Sequence, residues 1–204
     1  MDRARPPVRD RSDPRTWATA RHEAGHSVAA ITLGIRFRTV TLRPLNPDHA
    51  GAVLDVRLPP RRPLAFATIC LAGVAATPPR GAILTEADAA ALFEHEGAGD
   101  LRLINKHADG LSRTALVRLF LAAANIVRGT HADAVDDVAH RLVHHPEQTL
   151  TEAQVRVIVD DHQPGGISHL IRQMEAELGH GQPFGATSTN SDPSNVSAPL
   201  TVKR

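Results

Sequence analysis

The chain has 204 residues, 42% of them hydrophobic and 22% charged, with a formal net charge of +1. That composition suits one globular domain with tails, and its balanced charge lacks the basic excess expected of a nucleic-acid partner. Cys70 is the sole cysteine, which excludes an intramolecular disulfide and any thiolate zinc cluster and fits a reducing, cytoplasmic setting.

Residues 1–12 are rich in Arg, Asp and Pro and read as a disordered N-terminal arm. A helix is expected next. Ser12 or Asp13 can cap it, Pro14 suits its first position and Gly34 can end it, with Trp17, Ala20, Ala24, Val28 and Ile31 on its apolar side. Segments 37–44 and 51–60 alternate apolar and polar residues around a Pro/Asn/Asp/Gly stretch and read as an antiparallel hairpin. The longest apolar run, 64–77, is shorter than the roughly 20 residues that cross a bilayer, so it reads as a buried helix. The N-terminus has no apolar signal-peptide core, so no membrane span is expected. Residues 77–85 are loop-like and 86–95 helical. "EGAG" (96–99) breaks that helix, and a new one is expected at Asp100, well placed as its cap. Further helices are expected at 112–128, 131–144 and 151–162. The folded unit is thus 13–163, mainly α with a small antiparallel β-hairpin. A short helix within 164–179 and a disordered tail, 180–204, follow.

The first helix carries His22-Glu23-Ala24-Gly25-His26. Two histidines four apart lie one above the other on a helix, where both can offer a nitrogen to one Zn²⁺ at about 2.0–2.1 Å. A glutamate beside the first can take a proton from water in the open fourth position. This spacing is that of the HExxH zinc peptidases. A short pattern also occurs by chance, so a third ligand decides its meaning. Glu86, Glu94, His95, Glu96, Asp100 and His107 are candidates. Asp100 comes first, because it follows a Gly-Ala-Gly loop that lets the backbone approach closely and sits on the first turn of a helix.

"ARHEAGHSVAA" (20–30) resembles the peptidase domain of the FtsH-type ATP-dependent zinc metalloproteases. "TVTLRP" and "GAVLDVRLPP" are similar to that family's strand pair, and "ICLAGVAAT" (69–77) to its "LGGRAAE" helix. "EGAGDLRLIN" (96–105) is similar to "TGASNDLERAT", and "LVHHPEQTLTEAQVRVIV" (142–159) to "LLEKETLDGDEVREIL". The likeness runs over about 18–160. It implies a zincin-like helical peptidase domain over 13–163, with His22, His26 and Asp100 as zinc ligands and Glu23 as general base. The family's usual Arg is Val74 here, its following Glu is Thr77, and the Asn before the ligand Asp is Gly99. The family also carries an ATPase module and membrane helices upstream, and no phosphate-binding loop is found in this sequence. The expectation is an ATP-independent metalloendopeptidase acting on unfolded polypeptides or on substrates delivered by a separate ATPase partner. Assembly into a homo-oligomer is compatible with it. The alternative is a non-catalytic binding or assembly module that keeps the fold. The complete His-Glu-His-Asp set favours the enzyme, since Glu23 is not needed merely to hold a metal.

Other features read more plainly. His140 and His144 also lie four apart, but Arg141 and no acid stands between them, which indicates a solvated helix face. Asp136, Asp137, Asp160 and Asp161 read as solvated, and Cys70 as a small core residue.

Overall fold

Why the chain turns helical at Pro14 is plain in the computed structural model, which describes residues 8–43, 51–54, 56, 62–80, 82, 84–95, 98–108 and 110–162. Asp13 caps helix α1 (Pro14–Thr32) by accepting from the Arg15 backbone N–H, and Pro14 opens the first turn. Of the two expected caps it is therefore Asp13 that acts. The chain leaves α1 through Gly34, whose φ is +68°. The expected apolar stripe Ala20, Ala24, Val28 and Ile31 is buried, but so is every residue from Glu23 to Ile31. The second half of α1 is a central helix, packed against α2, α6 and α7. Trp17 stands apart, half-buried beside His140 and His144.

Helix α2 (Pro63–Ala76) is buried from Ala65 to Ala76 and packs along α1. Its burial fits the expected apolar helix, and no helix among the described residues is long and apolar enough to cross a membrane. The two axes come close because Gly25 has no side chain: a Cβ there would lie 2.5 Å from the Ala72 carbonyl oxygen. Helices α3 (Glu86–His95), α4 (Ala98–His107) and α5 (Arg113–Ala124) follow. Ser112 caps α5 by accepting from the Ala115 N–H. The expected helix 112–128 is not uniform. It passes into a π-helical segment, Asn125–Thr130, before α6 (Ala132–His144) begins. α6 lays Val135, Val138, Ala139 and Leu142 against α1. One apolar core, built largely from Ala, Leu, Val and Ile, unites these helices.

The expected hairpin is present, with residues 44, 55 and 57–60 of its two expected strands outside the described residues, and it is part of a larger sheet. β1 (Thr39–Thr41) pairs antiparallel with β2 (Ala52–Leu54), placing Val40 opposite Val53. On its other side β1 pairs with β3 (Thr149–Thr151), placing Val40 opposite Leu150, so the order is β2-β1-β3. The helix expected from Thr151 thus starts one residue later, as α7 (Glu152–His162), and the residues before it form a strand. Three residues are too few for alternation to signal a strand.

Part of the expected disordered arm is also fixed. Arg9 N–H donates to Gln148 Oε1 at 2.7 Å, Gln148 Nε2 donates back to Arg9 O at 3.0 Å, and Arg9 Nε donates to Leu42 O at 2.8 Å. The fully buried Gln148 side chain takes the place of a neighbouring strand and ties residues 8–12 to the sheet. The expected disordered stretch 1–7, the helix within 164–179 and the tail 180–204 lie outside the described residues.

Candidate metal centre

The α1–α2 contact brings the histidines to a wall of backbone carbonyls. His26 Nδ1 lies 2.7 Å from the Ile69 carbonyl oxygen of α2. A carbonyl only accepts, so Nδ1 carries the hydrogen and the neutral ring keeps a bare lone pair on Nε2. His22 Nδ1 makes a longer 3.5 Å approach to Thr77 Oγ1, and that hydroxyl donates to Gly73 O at 3.2 Å. With its proton committed to Gly73, the hydroxyl accepts from His22, again leaving Nε2 bare. Both rings therefore turn lone pairs to the same point, with their Nε2 atoms 3.0 Å apart.

Asp100 arrives there from 74 positions beyond His26. Its Oδ2 is 3.2 Å from His22 Nε2 and its Oδ1 is 3.5 Å from His26 Nε2. A tetrahedral ion with ligand bonds of about 2.0–2.1 Å separates its ligands by roughly 3.3 Å. The three side chains thus have the chemistry and the spacing of a zinc ligand set, and they form the one group of three or more metal-ligand side chains found among the described residues. Of the other sequence candidates, Glu86 and His107 are exposed and outside this group. Glu94 and His95 lie on α3 and Glu96 lies outside the described residues. Asp100 does not cap α4, as expected, but occupies its first turn, because the helix already starts at Ala98. The ligand position survives this shift because the turn itself holds the carboxylate.

Glycine makes room for the cluster. A Cβ at Gly73 would collide with the His26 imidazole, and one at Gly51 would lie 2.8 Å from Glu23 Cγ and Oε1. Glu23 is buried beneath Gly51, and its Oε2 has no hydrogen-bond partner among the described residues. Burial pushes the Glu23 carboxyl up to about 7; the charge His26 carries when protonated opposes the rise, Asp100 adds to it and Arg9 opposes it. Burial also raises the Asp100 carboxyl, but in the metal-free protein the charge His26 carries when protonated, with the hydrogen bond that a protonated His22 Nε2 donates and its charge, outweighs it and leaves Asp100 below its ordinary value.

These groups floor a cleft of about 980 Å³. Val53 of β2, Phe66 and Ile69 of α2 and Leu103 of α4 supply apolar wall. Thr77, Gly51 and Gly73 escaped the sequence reading as site-forming residues. The change to Thr77 at an expected Glu was visible, but its contact with His22 depends on how α2 ends. Cys70 also borders the cleft, yet it is buried and burial drives its thiol far above the usual range, so it is a packing residue.

His140 and His144 are exposed and pack against Trp17, with ring centroids 6.0 and 5.8 Å from the indole. Asp136 and Asp137 are not freely solvated as expected. Arg21 donates to Asp136 at 2.6 Å and Arg141 to Asp137 at 3.1 Å. Asp160 and Asp161 are exposed. No family model matches this chain, and no curated protein is found to be similar to it.

Proposed function

We propose that the protein is a zinc metalloendopeptidase that hydrolyses peptide bonds of unfolded or partner-delivered polypeptides. The observation that carries this reading is the meeting of His22, His26 and Asp100 at 3.0–3.5 Å beside a buried carboxylate with an unpartnered oxygen. His22, His26 and Asp100 would hold the ion. When bound, it would supply Lewis-acid polarisation and bring the pKa of a water to about 7. Glu23 is not needed to hold the ion; its carboxylate would accept a proton and pass it to the departing amine. Ile69 O and Thr77, which contact the Nδ1 atoms of His26 and His22, would hold the two imidazoles with Nε2 free for the ion. The walls and the burial of Glu23 restrict water around that carboxylate.

The sheet supports a polypeptide substrate. Among the described residues β2 is an edge strand, and its Ala52 and Val53 line the cleft, so an extended chain laid there could pair with that edge. The likeness of the HEAGH and AGDL segments to the FtsH-type peptidase domain supports the same activity and a zincin-like fold. On this reading no nucleotide is required for the cleavage itself.

The test is Glu23→Gln. The variant should keep about one zinc per chain while cleavage of casein falls by at least ~10²-fold, the scale of a lost general base. Equal cleavage by variant and wild type would remove Glu23 from the chemistry and favour the non-catalytic module.

A further inference from the structure

Helix α4 does more than present Asp100. Its Arg102, Leu103 and Lys106 continue along the cleft, all three exposed, and Leu103 is one of the three exposed large apolar side chains among the described residues. Several arginines elsewhere are engaged: Arg21 and Arg80 with Asp136, Arg141 with Asp137, and Arg128 with the carbonyls of Pro78, Pro79 and Ala82. Arg102 and Lys106 differ. Arg102 Nε donates only to Ala98 O of its own helix, at 3.1 Å, and Lys106 has no ion pair among the described residues. Among the described residues, the carboxylates that line the same cleft are Glu23 and Asp100, and both belong to its floor.

We infer that the Arg102–Lys106 edge of the cleft recognises a carboxylate of the bound polypeptide, with Leu103 covering the apolar part of the same residue. This inference rests on the peptidase reading of the cleft and names its substrate class, chains with an acidic residue close to the cleaved bond. Helical rise sets the distance. Arg102 and Lys106 lie two and six positions beyond Asp100, about 3 and 9 Å along the helix axis. An extended chain advances about 3.3 Å per residue, so the carboxylate belongs within about three residues of the scissile bond. The carboxylate could come from an Asp or Glu side chain or from the chain terminus, since both present the same two oxygens to a guanidinium and an ammonium.

The experiment is peptide binding by fluorescence anisotropy at low salt, using the zinc-loaded full chain. The probes are matched peptides bearing Glu or Gln at successive positions, each with a free or an amidated C-terminus. Wild type should bind the Glu peptides roughly threefold to tenfold more tightly than the Gln peptides, the scale of partly exposed charge pairs. Raising the salt should shrink that difference. Arg102→Gln/Lys106→Gln should abolish it, and Arg102→Glu/Lys106→Glu should turn the preference toward Lys-bearing peptides. A preference confined to free C-termini would assign the contact to the chain terminus; one that persists on amidated peptides assigns it to the acidic side chain. Equal binding of Glu and Gln peptides by wild type, or an undiminished preference in the neutral variant, would overturn the inference. Cleavage of the same peptides is read separately. A charge preference in binding without cleavage would count against the peptidase while leaving the carboxylate contact standing.

Discussion

Two pairs of histidines in this protein share one spacing and have opposite surroundings. His22 and His26 lie four apart on α1, with ring centroids 4.6 Å apart and planes at 89°. His140 and His144 lie four apart on α6, with centroids 4.4 Å apart and planes at 43°. The first pair faces α2 and α4, and its rings are held by the Ile69 carbonyl and Thr77 while Asp100 closes the third side. The second pair lies exposed against Trp17, and no third ligand joins it among the described residues. Spacing places two imidazoles together, but a distant carboxylate and a fixed tautomer make a ligand set.

Removing and restoring zinc should separate the pairs most strongly. A ligand that binds only the folded state stabilises it by about 2.7 kcal/mol at a hundredfold excess over Kd. Zinc should therefore raise the Tm of chelated wild type and of His140→Ala/His144→Ala alike. Loss of that gain in the α6 variant would make the second pair a site. Next in size is Gly73→Ala. Its methyl group must displace the His26 ring, and overpacking of this kind costs about 1–3 kcal/mol, so the apo-protein should melt lower and bind zinc more weakly. Unchanged melting and affinity would show that His26 does not rest on Gly73. Thr77→Val comes after it. Loss of the His22 contact should lower zinc affinity by about tenfold, the lower end for a group that orients a ligand, as read by competition with a chelator. An unchanged affinity would leave His22 oriented by something else.

A further histidine extends the comparison to a ring with no hydrogen-bond partner among the described residues. His131 is buried at the start of α6 with both ring nitrogens unbonded among the described residues, and burial lowers its pKa below the ordinary 6.5. The unfolded chain takes up a proton near pH 6.5 that the folded chain refuses. Stability should therefore be full above that pH and decline as pH falls toward the lower folded value. His131→Leu should flatten this slope in denaturant titrations of the zinc-free protein between pH 7 and pH 5; a parallel decline in the variant would assign it to other groups. The smallest effect belongs to His140→Ala/His144→Ala, which should change apo-protein stability by no more than about 0.5 kcal/mol, as surface substitutions usually do.

The readable parts of the site are those written at helical spacing. His22, Glu23 and His26 follow from one turn of α1, and the Gly-rich approach to Asp100 singled out that residue without fixing its place in the helix. Thr77, Gly73 and Gly51 were not legible as site residues, because each matters through an approach between segments distant in sequence. The fold divides the same way. Asp13, Pro14 and the apolar run of α2 announce their helices locally. β3 does not, since it is a strand only because β1 offers it an unpaired edge. The hold of Gln148 on Arg9 likewise depends on two segments 139 positions apart.

The most direct measurement of the central claim is the zinc content of purified Asp100→Ala, compared with wild type and with His140→Ala/His144→Ala after identical dialysis. Three protein ligands meeting at one point predict about one zinc per chain in wild type and in the α6 variant, and a large loss in Asp100→Ala. Zinc held by Asp100→Ala at the wild-type level, or lost from the α6 variant, would contradict the assignment of the metal centre to His22, His26 and Asp100.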